Sequence, residues 1–444
     1  MNSSKTLSSA VPAAPPTAAA DSPAGSAAYA NYVLCVLFVV YVFNFIDRQV
    51  MSVFIGPIKA EFGASDTAMG LLVGFAFALL YTVAGIPIAR WADRGNRRNI
   101  IAIGLAIWSA MTIASGMAKS FAHLVAARIG VGIGEAAGTP PAHSLIADYF
   151  PSHKRGTALA IYSSGVFAGS AIAYLGGGYL LEHFDWRTAF YVLGAPGLVI
   201  AVLLRFTVRE PTRGSTDPTQ SAAEENASFR DTLKFLSQSR SWVLLMIGCS
   251  FLAIPGYGVL MWGYEFFARV HQLSPVEAGK WMALIVGVGG VSGTLLGGPI
   301  TDKMCQIRQS WRIIVPGLLT MAAAPLCLGF LLIDSLTLSL FCFLPFYVLM
   351  NIYIPAMYSV NQSLAKVKMR ATASAILLFL INIVGAGAGP FIVGALSDWF
   401  APAYGAESIR YALSVVALSI VIGCSFLLLS GRYLRQDIAR VSAS

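Results

Sequence analysis

Residues Ala89-Arg90-Trp91-Ala92-Asp93-Arg94-Gly95-Asn96-Arg97-Arg98 form a charged turn between an apolar run at 68–90 and another at 99–118. One acid, Asp93, stands among four arginines, which marks it as a group with a specific partner. Further along, Gly298-Pro299-Ile300-Thr301-Asp302-Lys303 follows another apolar run in the same way. Lys154-Arg155-Gly156-Thr157-Ala158 has its counterpart in Met369-Arg370-Ala371-Thr372-Ala373, and Asp185-Trp186-Arg187 is echoed by Ser408-Ile409-Arg410. Three matches in one order, about 209 to 223 residues apart, identify duplicated halves, an arrangement by which many secondary transporters alternate access to a midplane site.

The chain has 444 residues, of which 11 % are charged, against roughly 25 % in ordinary soluble domains. Hydrophobic residues make up 57 % and mean hydropathy is +0.70. No soluble interior could bury that fraction, so the chain reads as a polytopic membrane protein. Its net charge of +9 comes from short basic runs between apolar segments, not from a patch interleaved with aromatics, which argues against a nucleic-acid partner. The six cysteines lie in apolar stretches or, for Cys305, in a basic loop, so neither disulfides nor structural zinc is expected.

Residues 1–28, rich in Ala, Ser and Pro, read as a disordered tail, and the run from Tyr29 as a retained first span. Twelve apolar segments reach the length of about 20 residues that a helical span needs. They are 30–54, 68–90, 99–118, 121–147, 155–182, 187–207, 241–268, 276–301, 312–333, 335–362, 371–397 and 409–431, numbered below as spans 1 to 12. They are too long for barrel strands and lack their alternation. The expected fold is all-α and integral to the membrane: a six-helix bundle at 29–207, a linker at 208–240, a second six-helix bundle at 241–431 and a tail at 432–444. Gly385, Gly387, Gly389 and Pro390 mark a bend in span 11. With the N-terminus in the cytoplasm, 22 of the 30 Lys and Arg residues face that side, 6 face the other and 2 lie within spans. Both termini are therefore expected in the cytoplasm, in a plasma membrane of the bacterial inner-membrane kind.

The turn Asp93-Arg94-Gly95-Asn96-Arg97-Arg98 resembles the loop between helices 2 and 3 of the major facilitator superfamily, with Ala89 where that family has Gly. A closer resemblance is to its spinster branch. It is carried by Asn44-Phe45-Ile46-Asp47-Arg48, by Arg128-Ile129-Gly130-Val131-Gly132-Ile133-Gly134-Glu135, by Ile146-Ala147-Asp148-Tyr149-Phe150-Pro151 and by Arg155-Gly156. The resemblance implies two pseudo-symmetric bundles, proton coupling and a lysolipid or sphingosine-phosphate type of substrate. It also implies that Asp93, Arg94, Arg97, Arg98, Arg155, Asp302 and Lys303 latch the two halves at the cytoplasmic gate.

Charge inside a span is costly and usually functional. Asp47, Arg48, Arg128 and Glu135 are the clear cases, all in the first half. Arg128 and Glu135, seven residues apart, share one face of span 4. Asp47 lies near the outer end of span 1, and Arg128 about 10 Å below the outer end of span 4, so the two stand at similar depth. Glu135 falls about 10 Å deeper, near the midplane. The expectation is that Asp47 and Glu135 are proton sites competing for Arg128, protonation freeing Arg128 for an anionic headgroup; the plainer reading is a static salt bridge between helices. Arg48 points about 100° from Asp47 and reads equally as an anchor at the outer interface.

The second half carries essentially no charge inside its spans. Tyr257, Trp262, Asn351, Tyr358 and Asn382, together with Arg128 and Glu135, are its candidate substrate contacts, and Glu265 and Arg269 read as gate or rim at the outer end of span 7. A charged half facing an aromatic and aliphatic half suits an amphipathic substrate. No GxSxG, HExxH or paired intramembrane Asp motif points to an enzyme, and no selectivity loop points to a channel. The reading is a monomeric, proton-coupled secondary transporter of an amphipathic lipid-like substrate, with the bilayer as its other partner and no cofactor or metal beyond the coupling proton. The alternatives are a proton-linked carrier of small organic anions or hydrophobic drugs, and a passive lipid scramblase.

Overall fold

The computed structural model describes residues 26–213 and 228–443, and nearly all of them are helical. The tail expected at 1–28 lies outside these residues except at its end, where span 1 already begins (Ala27–Val53). A short helix, Ile55–Phe62, leads to span 2 (Asp66–Arg94). Spans 3, 5 and 6 are Arg97–Gly116, Ser152–His183 and Trp186–Thr207; spans 7 to 10 are Arg240–Val270, Pro275–Ile307, Trp311–Leu332 and Leu336–Ser363. Span 4 consists of Phe121–Glu135 and Thr139–Tyr149, and span 12 is Ser408–Ala443. Span 11 runs Arg370–Leu380, Ile381–Ala388 and Gly389–Tyr404, and its middle piece is a π-helix. The wide turn falls on the Gly-rich stretch where a bend was expected.

Helix starts follow local chemistry. Ser26, Ser65, Asn96, Ser120, Asp185, Ser239 and Ser274 each accept a hydrogen bond from the backbone N–H three residues on, satisfying donors that a helix end leaves open. Span 4 restarts at Thr139 with proline in its first turn, where the missing N–H costs nothing. Two stretches expected as polar linker and tail contain helix: Phe229–Ser237 is helical, and span 12 continues to Ala443. The two meet where Arg440 Nη2 donates to the Phe235 carbonyl at 2.9 Å.

The twelve spans form two six-helix bundles, which close on each other at the end that carries Asp66. Closure runs along two seams, span 2 on span 11 and span 5 on span 8, and these are copies of one design. Gly70 and Gly279 stand 209 residues apart; a methyl group there would lie 2.5 Å from the Pro390 carbonyl and 2.4 Å from the Tyr174 carbonyl respectively. Gly394 and Gly178, 216 residues apart, face the carbonyls of Asp66 and Pro275 just as closely. Between apolar helices in lipid there is no hydrophobic drive to associate, so such backbone contact supplies the attraction.

The caps are duplicated too. Asp398 of span 11 accepts the N–H groups of Asp66 and Thr67 (3.0 and 2.7 Å), and Glu182 of span 5 accepts that of Val276 (3.0 Å). Each half thus caps a helix of the other. At the opposite end, which carries Asp93, the bundles part. Gly156 and Gly298 have open space where the seam glycines have none, and Asp93, Arg94, Asp302 and Lys303 are exposed.

Candidate substrate and proton site

Spans 1 and 4 carry four charged side chains into the membrane interior, and the structure sorts them into two pairs. Arg128 Nη1 donates to Asp47 Oδ1 at 2.8 Å and Nη2 to the Asp47 carbonyl at 3.2 Å, with both residues buried. The Thr112 hydroxyl of span 3 touches Asp47 Oδ2 and also lies 2.9 Å from the Trp108 carbonyl. It has one proton for these two acceptors. Arg48 Nη2 donates to Glu135 Oε2 at 2.8 Å, and its guanidinium lies 4.5 to 5.0 Å from the ring centroids of Phe77, Tyr81 and Phe45. Glu135 is fully buried, and its Oε1 has no hydrogen-bond partner among the described residues.

This corrects the expectation that both acids compete for Arg128, and that Arg48 serves equally well as an interface anchor. Arg128 is engaged by the side chain and the carbonyl of Asp47, so Glu135 takes the other cation of the half. A fully buried carboxylate is tolerated only with its own close partner. The signal was present in the sequence as charge parity, two acids and two bases. Spans 3 and 4 meet closely enough to add Thr112 because Gly134 has no side chain; a methyl group there would lie 2.7 Å from the Trp108 nitrogen.

Opposite these pairs, spans 7, 10 and 11 enclose a cavity of about 230 Å³. Tyr257, Asn351 and Tyr358 line it with Tyr347, Met350 and Ile381. Asn351 Nδ2 donates to the Tyr347 carbonyl at 2.7 Å, which leaves its amide oxygen as the free acceptor. Asn382 follows Ile381 in the π-helix, half-buried and outside the lining. Trp262 is elsewhere: it is fully buried toward the closed end, and its Nε1 donates to the Pro390 carbonyl at 2.9 Å. It joins spans 7 and 11 and is no substrate contact in this conformation. The cavity is roofed by a feature the sequence did not disclose. Buried Gln49 Nε2 and the Tyr174 hydroxyl both donate to the Leu260 carbonyl, at 3.2 and 2.5 Å.

Above that roof lies a charged lock. Asp66 receives both terminal nitrogens of Arg269 (2.7 and 2.8 Å), Lys59 Nζ (2.6 Å) and the Ser397 hydroxyl (2.7 Å), and Arg269 Nε also donates to Glu265 (2.6 Å). Glu265 and Arg269 thus belong to the gate rather than to a bare rim, and Asp66 is its centre.

The basic turn behaves otherwise. Arg97, expected to reach across, is buried within its own half, against Asp148 (2.5 Å), Glu210 (2.7 Å) and the Ser144 hydroxyl (2.7 Å). The Arg98 backbone N–H donates to Glu210 at 2.9 Å and its Nη1 to the Val208 carbonyl at 3.2 Å. Arg155 donates to the Ala147 carbonyl at 3.0 Å. In this conformation these contacts lie within the first bundle. The side chains of Asp93, Arg94, Asp302 and Lys303 form no hydrogen bond or ion pair among the described residues.

Two six-helix halves, a paired-charge site facing an apolar cavity and one closed end define a membrane transporter, not an enzyme. The sequence profile of the Major Facilitator Superfamily matches residues 37–390, and the chain belongs to that superfamily. Within it the chain is of the spinster branch. It is 33 % identical to a bacterial homolog of the human lysosomal transporter Spinster, solved inward-facing and unoccupied, with a TM-score of 0.86 over 93 % of this chain and 99 % of that one. It is also 34 % identical to an MFS-type efflux pump of Mycolicibacterium smegmatis (91 % and 93 % of the two chains) and 26 % identical to spinster homolog 1 of Xenopus tropicalis (91 % and 81 %).

Proposed function

We propose that the protein is a proton-coupled transporter of an amphipathic, anionic, lipid-like molecule of the lysolipid or sphingosine-phosphate type, acting as a monomer. The observation that carries this reading is the pairing of Asp47 with Arg128 and of Glu135 with Arg48 on one wall, opposite an apolar, tyrosine-lined cavity on the other. A proton added to either carboxylate neutralises it and releases its guanidinium, and an anionic headgroup is the natural replacement. Two groups stand ready for such protons: the unpartnered Oε1 of Glu135, and Asp47 Oδ2, where a proton donated to Thr112 would let that hydroxyl serve the Trp108 carbonyl. Arg48 is the more exposed guanidinium and the better headgroup contact, with Arg128 behind it. The tail would lie along Tyr257, Asn351 and Tyr358. Among relatives, a sphingosine-1-phosphate transporter of Danio rerio is 26 % identical over 89 % of this chain, which supports the substrate class.

The excess of basic residues at the Asp93 end supports placing that end in the cytoplasm, with both termini there and the membrane a bacterial inner membrane. The conformation is then open to the cytoplasm, with Asp93, Arg94, Asp302 and Lys303 engaging when it closes.

Flux of a fluorescent lysolipid into proteoliposomes under an imposed pH gradient tests the reading. Acceleration by the gradient, abolished in Asp47→Asn and Glu135→Gln, is expected. Full gradient-driven flux in both variants would eliminate these proton sites, and flux indifferent to the gradient would mark a scramblase. A second reading, a carrier of small organic anions, is favoured by 27 % identity over 63 % of the chain to a probable galactarate/D-glucarate transporter of Bacillus subtilis. Absence of lysolipid flux from folded protein would select it.

A further inference from the structure

The helix Phe229–Ser237 is separated from span 7 by Gln238 and Ser239 alone, so it lies at the membrane surface, and nine residues are too few to cross it. Its inner side is anchored. Thr232 and Leu236 are buried, and Lys366 and Arg440 stack over the Phe235 ring at 5.0 and 4.9 Å. Its outer side is divided lengthwise. Phe229 (62 % exposed) and Leu233 (39 % exposed), one turn apart, make an apolar strip, and Arg230 and Lys234 make a basic strip beside it.

Arg432 and Arg435 are exposed on the neighbouring end of span 12. None of these four cations forms an ion pair among the described residues. Of the acids nearby, exposed Asp231 offsets one of the four charges and Asp437 is occupied by the Ser239 hydroxyl and the Ser241 N–H at 2.7 and 2.8 Å, so the surface stays net positive.

We propose that this helix and the adjoining end of span 12 form a docking surface for anionic phospholipid headgroups. Phe229 and Leu233 sink into the interface, and Arg230, Lys234, Arg432 and Arg435 meet the phosphates. An apolar strip flanked by cations, on a helix continuous with a span, matches a bilayer surface, whereas a soluble anion would leave the apolar strip in water. Each Lys or Arg near an anionic leaflet strengthens attachment roughly fivefold. Because the helix also touches the start of span 11, lipid attachment would hold the second bundle's basic end in place. The inference rests on the proposed orientation only in calling that leaflet cytoplasmic; lysolipid transport can fail without touching it.

Amide hydrogen exchange of residues 229–237 tests this in the unmodified protein, reconstituted in phosphatidylcholine or in phosphatidylcholine with phosphatidylglycerol. Exchange should slow at least fivefold in the anionic vesicles while residues 55–62 at the other end stay unchanged, and high salt should reverse the effect. Arg230→Gln with Lys234→Gln should remove most of that slowing, and Phe229→Ser with Leu233→Ser should speed exchange in both lipids. Equal exchange in the two vesicles, slowing that survives loss of all four cations, or equal slowing by inorganic phosphate over neutral lipid would each overturn the proposal.

Discussion

Arg48→Met leaves the fully buried Glu135 without its cation, because Arg128 is committed to Asp47. Removing one partner of a buried pair costs about 3–5 kcal/mol. Methionine keeps the packing of the stem but loses the charge that faces the Phe45, Phe77 and Tyr81 rings, which adds about 1–2 kcal/mol. The two terms have different fates in the double variant. Arg48→Met with Glu135→Gln no longer holds a stranded carboxylate, so the first is recovered and only the ring term persists. Unfolding in detergent micelles should therefore place the single variant roughly 4–7 kcal/mol below wild type and the double variant about 1–2 below. The single variant should also regain stability as pH falls, because a proton relieves the stranded charge, while the double variant should not respond. A double variant no more stable than Arg48→Met, or a pH-independent loss, would refute the pairing and return Glu135 to Arg128.

Gly70→Val and Gly279→Val each drive a side chain into a backbone carbonyl that cannot yield, so both should shift the population away from closure at the Asp66 end. Spin-label distances across that end should lengthen, and an unchanged distribution would deny the seams their role. Arg269→Ala should act in the same direction by freeing Asp66, raising the reactivity of cysteines placed in the roof toward a hydrophilic thiol reagent; unaltered reactivity would remove the charged lock. Tyr257→Ala should raise the KM for substrate roughly tenfold with little change in kcat, a loss of ~1.4 kcal/mol of binding, whereas Trp262→Phe should leave KM alone.

On the connecting helix, the Arg187 guanidinium holds the Glu61 carboxyl below its ordinary value, helped by the Trp186 indole. A depressed folded-state value means a contribution present above the ordinary carboxylate range and lost as pH falls through the folded one. Wild type and Glu61→Gln should thus differ slightly in thermal midpoint near neutral pH and converge in acid; a gap that widens in acid would contradict the contact.

Much of the architecture was legible because hydropathy and charge act locally. Each span is a run of apolar residues, many of the helix starts are a Ser, Asn or Asp, and the π-helix of span 11 falls on glycines, just ahead of Pro390, that are visible as such. The site was legible in part. Asp47, Arg128 and Glu135 stood out because charge is rare in spans, and Tyr257, Asn351 and Tyr358 because polar groups are rare among aliphatics. Trp262 carried the same signal but turned to the Pro390 carbonyl, since an indole N–H donates to any buried acceptor and the sequence does not say which helix supplies one. Asp66 gave no signal, because at the edge of a span a carboxylate looks solvated until Arg269, Lys59 and Ser397 gather round it.

The sequence by itself determined that this is a twelve-span membrane protein of duplicated halves with its intramembrane charge in the first, since each property follows from residues near one another in the chain. Only the tertiary structure decided that Glu135 belongs to Arg48, that Arg97 braces its own bundle, and that the Asp66 end is the closed one. Those outcomes depend on the rotation of each helix and on which carbonyl meets which glycine across some two hundred residues. Local pattern leaves such relations open, and packing resolves them.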